Sequence, residues 1–174
     1  MICRQFANRM LQKEGIMEHL ETRVYEIPTD KLKKEERPLR ILLLADLHNR
    51  LWGAGQQQLL DAVDRFSADM VLCAGDMVLG RKHAGMEQAV RLFEGLSKRE
   101  LTVIAGNGNH ESRMRQRPEH YGTQYGSYTK RLKNLGVQIP VNETCRADYC
   151  SMPIYIHGYE MPLEYYKKFW VKPY

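Results

Sequence analysis

Residues 40–48 read Arg40-Ile41-Leu42-Leu43-Leu44-Ala45-Asp46-Leu47-His48, in which the apolar run Ile41–Ala45 closes on an aspartate and a histidine. An apolar run of this length, bounded by turn signals, reads as a buried strand of a parallel sheet. Two later stretches repeat the arrangement. Met70-Val71-Leu72-Cys73-Ala74 runs into Gly75-Asp76, and Leu101-Thr102-Val103-Ile104-Ala105 runs into Gly106-Asn107-Gly108-Asn109-His110-Glu111. In open α/β sheets, ligands bind outside the carboxyl ends of the strands. The three endings therefore bring Asp46, His48, Asp76, Asn109 and His110 to one sheet edge.

The segments between these strands have helical spacing. Residues 56–65 start a face formed by Leu59, Leu60, Val63 and Phe66. Residues 86–96 place Ala89, Val90, Phe93 and Leu96 inward, after a loop over 77–85. The resulting βαβαβ order predicts an α/β fold with right-handed crossovers. Upstream, residues 22–27 alternate and read as an edge strand, and the proline-bounded, lysine-rich segment 28–38 reads as a connector. Downstream, residues 119–135 read as a third helix with Tyr121, Tyr125 and Tyr128 in the core. Residues 137–141 and 153–156 read as strands that start a second sheet.

The residue types at the sheet edge suit a metal. Carboxylate, imidazole and amide oxygen are ligands for Mn, Fe, Zn or Mg rather than for soft copper. A carboxylate such as Asp76 has two oxygens and can bridge two ions. Two ions about 3.5–4 Å apart clamp a phosphoryl group and supply a hydroxide at neutral pH. Asp and Asn after strands also serve as caps and turn starters, but three such endings with histidines at these offsets exceed that role.

The pattern resembles the calcineurin-like metallophosphoesterases, in their bacterial form. Their signature runs D-x-H, then G-D, then G-N-H-[D/E], and Asp46, Asp76 and Asn109 keep that order and spacing, over a resemblance spanning about residues 22–174. It implies a layered α/β/β/α sandwich, two divalent metal ions, and hydrolysis of phosphomono- or diesters by a metal-bound hydroxide. Asp46 and His48 would hold the first ion, Asp76 would bridge, and Asn109 would hold the second. His110 would be the acid at the leaving group, and Glu111 takes the place of the acidic residue that ends the motif. The family also carries further histidines, including a late G-H-x-H, whereas here only His120 and His157 follow His110. The resemblance therefore implies the N-terminal portion of the fold, truncated at the C-terminal side, with an incomplete second sheet and weakened metal binding. His157 is a minor ligand candidate.

Arg113, Arg115 and Arg117 follow the third motif. A solvated face is the plain reading of such a run, while guanidinium forks on a substrate phosphate, at Arg113 and Arg115, are the functional one. A nuclease acting on DNA ends, or a non-catalytic fragment that binds a partner, are the competing functions. The net charge of +5 is too modest to mark a nucleic-acid binder by itself.

The length of 174 residues fits one domain. Residues 1–21 mix charged side chains with Phe6, Met10, Leu11, Ile16 and Leu20, and read as a leader or amphipathic helix ahead of a domain over 22–174. No stretch has the apolar length of a signal peptide or membrane span. Four cysteines without a C-x-x-C pair fit a reducing cytosol, with a Cys145–Cys150 disulfide as the lesser possibility.

Overall fold

The three apolar runs fold as adjacent strands. The structure, a computed structural model, describes residues 2–7, 20–31, 37–150 and 152–166. In chain order the elements are β1 (Ile2–Ala7), β2 (Glu21–Glu26), β3 (Arg40–Leu44), α1 (Gln57–Phe66), β4 (Met70–Cys73), α2 (Glu87–Ser97) and β5 (Thr102–Ala105). Then come α3 (Asn109–Gln116), α4 (Pro118–Tyr121), α5 (Gln124–Asn134), β6 (Glu143–Tyr149) and β7 (Met152–Gly158). The main sheet has the order β2-β1-β3-β4-β5. Its strands β1, β3, β4 and β5 pair in parallel, and β2 runs antiparallel along the edge. β6 and β7 form a separate antiparallel pair.

Side-chain alternation explains the layers. One face of the sheet carries Leu42, Leu44, Val71, Cys73, Val103 and Ala105 into a large core with the inward residues of α1, α2 and α5. Phe93 and Leu132 are fully buried there, and full burial of a side chain of that size contributes roughly 1.5–3 kcal/mol. The opposite face carries Met70 and Ile104 against Ala147, with Cys145, Ile154 and Ile156 of the β6–β7 pair packed around them. Helices thus cover one face of the sheet and a two-stranded ribbon covers the other.

The glycine-rich stretch after β3 turns the chain into α1. Gly53, Gly55 and Gln56 all have positive φ. Gln56 is fully buried. Its amide oxygen accepts from the Trp52 N–H (2.9 Å), and its amide nitrogen donates to the carbonyls of Arg50 (2.6 Å) and Gln88 (2.9 Å). The Asn49 side chain accepts from the N–H groups of Gln88 and Ala89 at the start of α2, satisfying donors that a helix start leaves free.

Several expectations are corrected. Residues 2–7 of the helix or leader expected over 1–21 are strand β1, because the open edge of β3 offers a full parallel ladder to Ile2–Phe6. The sheet therefore begins before residue 22; residues 8–19 lie outside the described residues. The single helix expected over 119–135 is two, α4 and α5, broken at Gly122 with φ +58. The basic run before it lies largely on α3, which ends ahead of Pro118, where the residue before proline disfavours helix. Residues 137–141 add only one bridge, Gln138 to Ile104, while β6 supplies a strand the sequence did not announce.

Cys73, Cys145 and Cys150 are free thiols. Burial, reinforced by the Glu111 carboxylate, pushes the Cys73 thiol up from 9.0 to about 12. Iodoacetamide on the native protein at pH 8 is expected to modify the exposed Cys150 and spare Cys73 until denaturant is added. The unfolded chain releases the Cys73 proton first, so this contribution to stability is whole below pH 9. Above it, stability falls by about 1.4 kcal/mol per pH unit as pH rises toward the folded value. Denaturant titrations of Cys73→Ala beside the wild type check that slope.

Candidate metal centre

The parallel ladder continues past the strand ends and holds the loops edge to edge. The Ala74 N–H donates to the Leu44 carbonyl (2.7 Å) and the Gly106 N–H to the Cys73 carbonyl (2.8 Å). Further out, the N–H groups of Asp46, His48 and Asn49 donate to the carbonyls of Gly75, Asp76 and Met77. These bonds require unusual backbone at the site itself. Asp46 (φ 56), His48 (φ 49), Asn49 (φ 55) and Asp76 (φ 53) all lie in the left-handed region. Asp, Asn and His tolerate that region better than other non-glycine residues, and such backbone clusters where surrounding structure enforces it.

His48, Asp76 and His110 converge, with one ligand atom from each lying within 4.8 Å of the others. The two imidazoles meet edge to face, ring centres 4.9 Å apart. Asp46 stands beside them, its carboxylate 3.5 Å from His48 Nε2 and 61% exposed. His48 Nδ1 is buried and has no hydrogen-bond partner among the described residues. An imidazole with one unpartnered nitrogen, whose other nitrogen faces an exposed carboxylate, belongs to the donor set a divalent cation takes. The residues present therefore fit a metal.

Backbone contacts fix the second half of the site. Asp76 Oδ1 accepts from the His110 N–H (2.8 Å). The Gly80 N–H donates to His110 Nδ1 (2.8 Å), so a neutral His110 ring carries its proton on Nε2. Burial lowers the pKa of His110, Asp76 opposes that, and the charges of His48, Arg113 and Arg81 lower it further. Asn109 is the half-buried first residue of α3, next to His110.

Glu111 is buried, 1% exposed. Its carboxylate accepts from the N–H groups of Asp76 (2.8 Å), Val78 (3.1 Å) and Gly108 (3.0 Å). Burial raises its pKa to about 7, against the lowering effect of those N–H bonds. Gly75 and Gly108 let the same loops touch. A Cβ on Gly75 would strike the Gly108 backbone, and a Cβ on Gly108 would strike Asp76.

The other candidates are placed elsewhere or differently. Arg115 turns to the buried Glu160, with Nη2 to Oε2 at 2.7 Å. Arg113 lies close enough to act on His110 electrostatically, and no ion-pair partner is found for it among the described residues. His157 sits on the ribbon, its Nδ1 3.0 Å from Thr144 Oγ1, apart from the cluster. Sequence reasoning missed Tyr166, at the end of a 3-10 turn over Leu163–Tyr166. Burial first, then the charges of Asp76, Glu160 and Glu111, raise its hydroxyl pKa. It also missed Asn49 and Gln56. The positive-φ run was partly visible in Gly53 and Gly55, but no pattern announces a buried glutamine.

A mixed α/β domain with a carboxylate–imidazole cluster at the carboxyl edge of its parallel sheet defines a candidate metallohydrolase. The chain belongs to the calcineurin-like phosphoesterases: the model of that family matches residues 39–170. Phosphoester hydrolysis with divalent metals is the general activity of that family. No curated protein and no solved structure matches the chain. Among the described residues, no helix is long and apolar enough to cross a membrane.

Proposed function

We propose that this chain is a phosphomono- or diesterase with a two-cation site. Asp46 and His48 would hold the first ion, Asp76 would serve both, and Asn109 would hold the second. The observation that carries the reading is the convergence of His48, Asp76 and His110, with His48 Nδ1 left unpartnered. Bound there, the ions neutralise phosphoryl charge and make water a nucleophile at neutral pH. The layered α/β/β/α architecture of the family is consistent with the helix, sheet and ribbon layers described above.

The remaining steps belong to the chain's own residues. Because Nδ1 of His110 is occupied by the Gly80 N–H, the proton on Nε2 points away from that bond. This supports His110 as a hydrogen-bond donor to the departing oxygen rather than as a ligand; giving up the proton itself requires the imidazolium, which forms only when Nδ1 releases the Gly80 N–H. Arg113, with Arg81, supplies positive charge on the His110 side, where it orients an anionic substrate. Arg115 is held by Glu160. That pairing weakens the DNA-end nuclease reading, which draws on the whole Arg113–Arg117 run. The free thiols fit a reducing compartment such as the cytosol.

Chelation tests the reading. Protein stripped with EDTA is expected to lose hydrolysis of p-nitrophenyl phosphate or its bis-ester, and added Mn²⁺ to restore it. Binding of Mn²⁺ by calorimetry should approach two ions per chain. Hydrolysis that survives chelation, or no Mn²⁺ binding at millimolar metal, sinks the proposal.

A further inference from the structure

The carboxylate of Glu111 is buried without a cation beside it: no arginine, lysine or histidine pairs with it among the described residues. Burying an ionisable carboxyl is costly unless hydrogen bonds compensate. Here the compensation is three backbone N–H groups drawn from two loops far apart in sequence. Only one of them, Gly108, belongs to the start of α3. An acid three residues inside a helix commonly reaches back to the N-cap N–H, as half of a capping box. The reciprocal half is absent, since Gly108 has no side chain. The other two bonds, to Asp76 and Val78, lie 35 and 33 residues away on the loop after β4. A helix cap does not require them.

We propose that Glu111 is a positioning residue. Its carboxylate clamps the loop that carries Asp76 to the loop that carries Asn109 and His110, and so sets the spacing on which cation binding depends. The inference rests on the two-cation reading only for its last clause. Three features converge on the same seam. Gly75 and Gly108 allow backbone contact there, the His110 N–H donates to Asp76 Oδ1, and Glu111 closes the seam from beneath. Asp76 therefore has its main-chain N–H held by Glu111 and its side chain held by the residue before Glu111. Both ends of this aspartate are fixed before any ion arrives, so binding need not organise it. The absent cationic partner fits this role, because an arginine at Glu111 would compete with the three N–H donors.

Amide hydrogen exchange of Glu111→Gln tests the clamp without metal. The amide keeps the side-chain shape but turns one acceptor into a donor facing N–H groups. Exchange at Asp76, Val78 and Gly108 should speed up at least tenfold. Exchange at His110 should also rise, although its N–H does not touch Glu111, because its acceptor Asp76 is released. Mn²⁺ affinity should fall about 10- to 100-fold, the size of effect seen when groups supporting metal ligands are removed. Leu132→Ala, a core change on α5 that removes none of the hydrogen bonds at the seam, should lose stability yet keep wild-type Mn²⁺ affinity. If Glu111→Gln fails to fold, Glu111→Asp keeps the charge with a shorter reach and should show the same pattern in weaker form. Faster exchange confined to Gly108 and the first turn of α3 would reduce Glu111 to a helix cap and overturn the proposal. So would wild-type Mn²⁺ affinity in the folded variant. Failure of the wild type to bind Mn²⁺ would refute the two-cation reading and, with it, the clause on cation binding, while the exchange pattern would still decide the clamp.

Discussion

Replacing Asp76 with asparagine is expected to lower kcat/KM by roughly a hundred- to thousandfold, the loss typical of removing one group that stabilises transition-state charge. The substitution is nearly isosteric. Its carboxamide oxygen can still accept the His110 N–H that Asp76 Oδ1 accepts now at 2.8 Å, and the backbone N–H still reaches Glu111. Stability should therefore change little, and a thermal melt within a few degrees of the wild type is part of the expected result. What disappears is the negative charge that, in the proposed site, would serve both ions. Metal content after dialysis should fall together with turnover. Near-normal turnover by Asp76→Asn, with a normal melt, would remove Asp76 from the site and undo the proposed assignment.

Gly75→Ala is expected to destabilise the protein by about 3 kcal/mol or more. Two costs combine. The backbone at Gly75 has φ +96, and holding a residue with a Cβ in sparsely populated backbone costs about 1–3 kcal/mol. The new methyl would also overlap the Gly108 backbone and the Asn107 carbonyl carbon, and overpacking costs roughly 1–3 kcal/mol. Neither neighbour is the end of a flexible side chain, so relief requires the two loops to separate. Separation breaks the seam that holds Asp76 against His110, so activity should fall further than stability alone explains. Gly126→Ala is the matching control. Gly126 lies in α5 with open space where its Cβ would go, and alanine there should stabilise by about 0.5–1 kcal/mol. Urea titrations of both variants decide the matter, and equal midpoints would contradict the close approach of the loops.

The parts of the fold legible in the sequence were those where one signal dominated. Apolar runs gave β3, β4 and β5, and the 3.6-residue spacing gave α1 and α2, each within a residue or two. The residues at the strand ends were also legible, because an aspartate or histidine directly after a buried strand has little choice of position. The misses have a common cause. β1 reads Ile2-Cys3-Arg4-Gln5-Phe6-Ala7 and β6 reads Glu143-Thr144-Cys145-Arg146-Ala147-Asp148-Tyr149. Neither carries a strong local preference, and each becomes a strand because a neighbour presents unpaired backbone. α3 was hidden for another reason: its arginines read only as a solvated face, while its inward residues Glu111, Ser112 and Met114 are too mixed to show a stripe. Glu111 illustrates what spacing cannot convey. The sequence identifies it as the acid that ends a motif, but only the fold shows that its partners are N–H groups on another loop.

The left-handed backbone at Asp46, His48, Asn49 and Asp76 has a consequence for how this domain can vary. At Asp46, His48 and Asp76, if they hold metal as proposed, two filters act on the same alphabet. Metal chemistry selects oxygen and nitrogen donors, and backbone sterics independently select Asp, Asn, His or Gly while disfavouring Val, Ile and Thr. A lineage that abandoned catalysis would still feel the second filter. In such a descendant, asparagine or glycine at these sites would record the shape of the turn long after the chemistry had gone. Persistence of Asp or Asn there is thus weak testimony to activity, whereas a β-branched residue would signal that the loop itself had been rebuilt.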